Sequence, residues 1–256
     1  MAPGKSLLRH SVGPRAFVLI TLGMVSLACV RSALAMPLRA PRKVLGFIAH
    51  LACRPRRRAS TDELVELLWP ERDSTTGHHD LRQAVWQVRK RLGRDAVVCQ
   101  HGEVTLKAQL DSDRDRFLRA IDQGELEQAA GLYEGEFLCG SGDFGPGFDQ
   151  WVRSERFRLA RLFQHTSETL AQRWTAQGRF KDALSLARRA RDSDPAQQRS
   201  WRLLLRSLLL LNDRVQAATE ADVFERQLSL SGRDAEPDTR VVLSTVRTCC
   251  RETVGE

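Results

Sequence analysis

Between residues 167 and 224 a set of small and apolar residues recurs at an interval of about 34 positions, and no other feature of the chain constrains its fold as tightly. The first copy is Ser167, Leu170, Ala171, Trp174, Gly178, Ala183, Ala187 and Ala190, closed by Pro195. The second is Trp201, Leu204, Leu205, Leu208, Asn212, Ala217, Ala221 and Phe224. Spacings of three and four inside each copy put the apolar side chains on one helical face. The small residues let paired helices approach closely, and one such pair cannot bury its apolar face alone. Neighbouring copies must therefore stack on one another.

That positional logic is the logic of a tetratricopeptide repeat. Residues 111–250 carry little strand signal and much 3.6-residue periodicity, so they read as an all-α, TPR-like domain ending in a short tail, 251–256. Charge separates this half from the rest. The net charge is +8, but residues 1–38 contain four Lys/Arg and no Asp/Glu, residues 39–110 contain 14 basic and 8 acidic residues, and residues 111–256 contain 22 basic and 24 acidic. The positive excess lies wholly in the first 110 residues, the footprint of a nucleic-acid or acidic-membrane binder joined to a near-neutral module.

The basic part has its own order of elements. Val44, Phe47, Ile48 and Leu51 recur with helical spacing. The run Arg54-Pro55-Arg56-Arg57-Arg58 interrupts them, and Ser60 with Glu63 forms a capping box opening a second helix lined by Leu64, Leu67 and Leu68. Pro70 ends that helix, and Glu71 to Gly77 reads as a polar loop. A third helix is expected from about His79 to Leu92, with Leu81, Val85, Val88 and Leu92 facing the core and Gly93 as its cap. Its other side carries Arg82, Gln83, Trp86, Arg89 and Lys90. Arg can read guanine or grip phosphate and Gln can pair with adenine, so this face suits a helix laid in the major groove, although basic helix faces are common in general. Val97 to Cys99 and Val104 to Leu106, joined through Gly102, read as a β-hairpin. Strands, three helices and a closing hairpin make a winged helix over residues 15–110, and the chain as a whole reads as mainly α with a small β component.

The N-terminus supports two readings. Residues 1–14 are expected to be disordered. Lys5, Arg9 and Arg15 precede an uncharged run, and Ala33-Leu34-Ala35 supplies a cleavage-like pattern, the layout of a secretory signal over Ala16 to Ala35. The same run also divides into two β-rich segments, Phe17 to Leu22 and Val25 to Val30, around Gly23. The first reading makes the chain an exported or membrane-tethered helical adaptor. The second makes the run part of the basic domain of a cytoplasmic protein.

Several motifs together carry a family resemblance. They are Leu22-Gly23, Arg42-Lys43-Val44-Leu45, Asp62-Glu63-Leu64, Leu67-Leu68-Trp69-Pro70, Leu81-Arg82-Gln83-Ala84-Val85 and Val88-Arg89-Lys90-Arg91-Leu92-Gly93. With them, Phe17 to Leu110 resembles the winged-helix domain of the SARP-type antibiotic regulatory proteins. The second half, through Leu132-Tyr133-Glu134-Gly135-Glu136-Phe137-Leu138, Phe148-Asp149-Gln150-Trp151-Val152, Asp194-Pro195 and Glu236-Pro237, is similar to the activator domain that follows it in that family. The resemblance implies a transcription regulator that binds double-stranded DNA through the helix bearing Arg82 and Arg89. It implies a wing around Gln100 to Lys107, with His101 and Lys107 near the duplex. It also implies an RNA polymerase contact in the loop bearing Glu71, Arg72, Asp73 and Ser74, and partner contacts or homodimerisation through the helical domain.

Other candidates for chemistry are weaker. Gly140-Ser141-Gly142-Asp143-Phe144-Gly145 spells G-x-G-x-x-G but follows a helical segment rather than a strand, so it reads as a connecting loop. His78 and His79 are adjacent, lie on different helix faces and have no Cys or acidic partner at metal-ligand spacing. The six cysteines contain no C-x-x-C pair and read as reduced structural thiols. No nucleophile motif or acid–base pair is apparent. The chain is therefore expected to be no enzyme, to need no cofactor and to bind no small-molecule ligand.

Overall fold

A computed structural model of the protein describes residues 16–31, 34–142 and 144–251. The expected disorder of residues 1–14, Ala33 of the cleavage-like pattern, Asp143 of the glycine pattern and tail residues 252–256 lie outside the described residues. The chain is mainly helical with a small β component and divides into two compact units. One comprises residues up to Asp115 together with Leu138–Arg153. The other comprises Arg116–Phe137 and Ser154 onward.

The apolar N-terminal run forms strands β1 (Ala16–Ile20) and β2 (Ser26–Arg31), paired antiparallel with Phe17 opposite Cys29 and Leu19 opposite Leu27. A third strand, β3 (Leu34–Pro37), adds antiparallel to β2. A fourth, β7 (Leu110–Ser112), lies parallel to β1, giving the order β3-β2-β1-β7. Alternation along β1 buries Phe17 and Leu19, and Leu22 and Leu27 complete this layer. At its end the carboxylate of buried Asp113 accepts hydrogen bonds from Thr21 N (2.8 Å), Thr21 Oγ1 (2.7 Å) and Leu22 N (2.8 Å), holding the turn after β1 to the segment after β7.

Between β1 and β7 the chain builds the helical part of this unit. Helix α1 (Arg42–Cys53) buries Val44, Phe47, Ile48 and Leu51 as its periodicity requires. Helix α2 (Thr61–Leu68) starts at Ser60, whose Oγ accepts from Glu63 N at 3.0 Å. Only this half of the capping box forms, because the Glu63 carboxylate turns instead to Arg54 at 2.9 Å. Helix α3 runs Ser74–Leu92 and buries Leu81, Val85, Val88 and Leu92.

The start of α3 corrects the expected loop from Glu71 to Gly77. Asp73 is the N-cap, accepting from Thr76 N at 3.0 Å and Thr76 Oγ1 at 2.7 Å, so Ser74 to Gly77 are already helical. Those hydrogen bonds hold the Asp73 carboxyl below its usual range. Gly77 then meets α2: a Cβ there would lie 2.4 Å from Val65 Cγ1, so only glycine allows the crossing this close.

Two strands close the wing, β5 (Val97–Gln100) and β6 (Glu103–Leu106), joined by His101-Gly102 at φ of 51° and 73°. Two consecutive positive φ values give the type I′ turn that matches strand twist. Unexpectedly, Arg58–Ser60 forms a further strand, β4, which pairs with β6 in the order β4-β6-β5. Residues 138–153 also belong to this unit. Leu138 N donates to Thr21 O at 2.7 Å, and a Cβ on Gly46 of α1 would lie 2.6 Å from Phe144. The glycine pattern is thus a packing loop that leads into helix α6 (Pro146–Ala176).

The second unit contains α4 (Asp113–Asp122) from Arg116 onward, α5 (Leu126–Leu132), α6 from Ser154 onward, α7 (Phe180–Ser193), α8 (Gln198–Leu210), α9 (Arg214–Leu230) and α10 (Pro237–Arg251). The two repeat copies are the helix pairs α6–α7 and α8–α9. Their matched turn residues, Gly178 and Asn212, both adopt left-handed backbone with φ of 76° and 57°. At each, the next N–H reaches back five residues, Arg179 to Trp174 O and Asp213 to Leu208 O, the 6→1 bond of a Schellman cap. The same turn joins α4 and α5: Gly124 has φ of 74° and Glu125 N donates to Ala120 O. Five residues after each left-handed position stands a buried alanine, Ala129, Ala183 or Ala217, where the two helices approach. Sequence periodicity missed this earliest hairpin. Trp201 stacks on Phe224 at 4.8 Å inside a cluster with Leu204, Leu205, Leu208, Ala217, Ala221 and Val246, each burial worth about 1–3 kcal/mol for the large side chains.

Candidate nucleic-acid interface

Helix α3 presents one open face. Thr75, His79, Arg82, Gln83, Trp86 and Lys90 are all exposed and follow one another at three- and four-residue steps. Arg82 and Gln83 make no side-chain hydrogen bond among the described residues, and the Lys90 ammonium stands 5.1 Å from the centre of the Trp86 ring. A row of free donors and one cation-capped aromatic on a straight helix is the arrangement that can read base edges while gripping phosphate. The packing on the other side makes the presentation rigid, since Leu81, Val85 and Val88 are 4%, 5% and 0% exposed.

The remaining expected site residues are placed differently. Arg89 is half-buried, and its Nε donates to Val97 O at 3.0 Å, tying α3 to the first strand of the wing. It therefore does not stand free beside Arg82, although the seven-residue spacing puts the two on one side of the helix. Arg91 is likewise engaged, donating from Nε to Arg39 O at 2.7 Å. His101 is exposed at the wing's tip, whereas Lys107 is exposed at its base, where its N–H bonds Ala96 O at 2.8 Å. The two mark opposite ends of the hairpin.

The wing is held on both sides. Arg58 pairs with Glu103 at 3.0 Å across β4 and β6, and Thr61 N at the start of α2 donates to Gly102 O at 2.8 Å. Arg57, in left-handed backbone at φ 54°, donates from Nη2 to Leu110 O at 2.9 Å. Part of the Arg54–Arg58 cluster thus acts as internal cross-bracing. Cys99 on β5 is exposed, and partial burial of its thiol raises its pKa, Arg89 countering this in part.

Before α3, Glu71 lies 3.9 Å from Lys43 and 4.0 Å from Arg72, which reaches Asp80 at 3.5 Å. All four residues Glu71 to Ser74 are exposed, and Asp73 is committed to its cap. His78 Nε2 contacts Asp62 at 3.0 Å and its Nδ1 lies 2.7 Å from Ser74 O, while His79 joins the open face. The two histidines diverge, and no group of three or more His, Cys, Asp or Glu able to hold a metal occurs among the described residues. No helix among them is long and apolar enough to cross a membrane.

Sequence reasoning missed three parts of this site. Strand β4 is three residues long and pairs with residues more than 40 positions away, so it has no local signature. Thr75 lay in the expected loop. The role of Arg89 depends on the hairpin folding back onto α3, which helix periodicity does not encode.

Comparison with known proteins bears on this arrangement. Residues 94–247 match the family described as "Bacterial transcriptional activator domain". No curated protein sequence matches the chain. Among solved structures, the fold is similar to that of Mycobacterium tuberculosis EmbR, solved in complex with a low-affinity phosphopeptide, at a TM-score of 0.66 and 17% sequence identity. The match covers 91% of this chain but 65% of the EmbR chain. With a winged helix followed in sequence by a helical repeat unit, and with more than half its length inside the family match, the chain belongs to the bacterial transcriptional activator domain family.

Proposed function

We propose that this protein is a sequence-specific DNA-binding transcription regulator, acting in the cytoplasm as an activator. Helix α3 enters the major groove with Arg82, Gln83, Trp86 and Lys90 toward the bases and phosphates, and the His101 end of the wing meets the neighbouring backbone or minor groove. The observation that carries this reading is the open face of α3. Its donors are free while neighbouring Arg57, Arg89 and Arg91 are spent on internal hydrogen bonds. Exposed Glu71 to Ser74, beside the start of the same helix, are read as the contact to RNA polymerase. The helical unit is read as the module for protein contacts, self-association included.

The strands of the first unit favour this reading over export. Cleavage after Ala35 would remove β1 and β2, and with them buried Phe17, Leu19, Leu22 and Leu27. The test is binding of the full chain to the fragment upstream of its own gene and to random duplex across a salt series. A DNA reader prefers some fragment, and Arg82→Ala lowers affinity by about 1–3 kcal/mol where that contact reads a base. If Arg82 grips phosphate instead, the loss is equal on all sequences and the salt slope falls by about one. Equal, weak binding to every duplex refutes the proposal.

A further inference from the structure

On the open face of α3, Trp86 is the large apolar side chain among residues that can donate hydrogen bonds or carry positive charge. Trp86 is 52% exposed at the centre of that face, its Nε1–H donates to nothing among the described residues, and Arg82, Gln83 and Lys90 lie about one turn from it. We infer that Trp86 is a specificity-determining residue that packs against the C5-methyl group of a thymine, so that the preferred DNA site carries adjacent A·T pairs beneath the middle of α3. The inference rests on the DNA-binding function proposed above.

The argument is one of complementary surfaces. In the major groove the base edges are hydrogen-bonding groups at almost every position, and the thymine methyl is the one substantial apolar group. An indole carried into the groove on a rigid helix gains from contact only where it meets that methyl; against other edges it strips water from polar atoms without replacing their bonds. Trp86 follows Gln83 by three residues, about 4.5 Å along the helix axis at 1.5 Å per residue, a distance between one and two base-pair steps of about 3.4 Å. The Gln83 amide can take both N6 and N7 of an adenine. Gln83 and Trp86 therefore address neighbouring pairs, one by hydrogen bonds and one by a methyl contact. The Lys90 ammonium over the indole occupies part of one ring face and brings a cation to the same spot, leaving the remaining ring surface for the base.

Replacing thymine by deoxyuridine removes the methyl and leaves base pairing intact, which separates this contact from all others. A duplex would be selected by the full-length protein from a random-sequence pool and resynthesised with each thymine replaced in turn. The expected result is one or two positions where deoxyuridine weakens wild-type binding about fourfold, the value of one buried methyl-sized group. Trp86→Ala, on the solvent face and with an unchanged melting temperature, should bind the thymine and deoxyuridine duplexes equally, while Trp86→Phe should keep part of the difference. Enrichment of a sequence with no deoxyuridine effect at any position overturns this inference and leaves the DNA-binding proposal standing. So does a deoxyuridine effect that Trp86→Ala preserves. Failure to enrich any sequence overturns both.

Discussion

His50 provides a quantitative test of the packing around α1 in the first unit. It is buried on α1, its ring packed edge-on against Trp151 at 4.7 Å, and neither ring nitrogen has a hydrogen-bond partner among the described residues. Burial lowers its pKa from 6.5 to about 4; the Glu63 carboxylate, 3.7 Å from Nε2 and too distant for a hydrogen bond, offsets part of the shift, and Arg54 opposes that offset. Between these two values the unfolded chain binds a proton that the folded chain excludes, so stability rises with pH through the window and is lost as pH falls through it. The linkage amounts to about 2 kcal/mol between pH 7 and pH 5 and about 3 kcal/mol by pH 4. Other groups titrate over the same range, so the useful quantity is the difference between wild type and His50→Phe, which lacks the titration and the unbonded nitrogens. Denaturant unfolding of both proteins, followed by hydrogen exchange of peptides from residues 42–92, isolates this unit from the helical repeats. The two profiles should diverge by about 2 kcal/mol from pH 7 to pH 5. Parallel profiles, or an imidazole resonance of His50 that titrates near 6.5 in the folded protein, would refute the buried, neutral assignment.

Three further outcomes follow from the packing. Gly77→Ala should destabilise the first unit by about 1–3 kcal/mol, because its methyl collides with Val65; Val65→Ala in the same chain should recover most of that loss in thermal unfolding. Gly178→Ala has open space around its new methyl but a backbone at φ 76°, so it should cost about 1 kcal/mol from conformation alone, whereas Asn212→Gly at the matching turn should be neutral or stabilising, as denaturant midpoints would show. Arg89→Ala should lower the melting temperature and speed amide exchange in β5, because it releases Val97 O, while Arg82→Ala should leave both unchanged. Equal stability of the two arginine variants would argue that Arg89 faces DNA after all.

How much of this was legible beforehand depends on the range of the interactions concerned. Helix faces are short-range patterns. Leu81, Val85, Val88 and Leu92 are buried because their spacing leaves them no other common face, and the residues around Gly178 and Asn212 recur at the repeat interval because each copy solves the same packing problem. The hairpin turn at His101-Gly102 was legible for the same reason. The helix start at Ser74 was misplaced by a few residues because Asp73, Ser74 and Thr76 belong equally to loops and to caps, and only the hydrogen bonds made decide between them.

By itself, then, the sequence determined where most of the long helices lie, which of their faces are apolar, where the positive charge is concentrated and how the two matched repeat copies turn. Tertiary structure alone decided what covers each face. The run from Ala16 to Arg31 satisfies a signal-segment pattern and a strand pattern equally, and its pairing with Leu110–Ser112, more than 90 residues away, makes it a core sheet. Arg58–Ser60 becomes a strand only because β6 presents an unpaired edge beside it. Residues 138–153 follow the first helices of the repeat unit in sequence yet join the first unit, through Leu138 on the turn after β1 and Phe144 against α1. Arg82 and Arg89 share a face on any helical projection; the wing packs against one and leaves the other to solvent. Local patterns act over a few residues and are written in the chain, whereas contacts between distant segments exist only once the backbone has closed its loops.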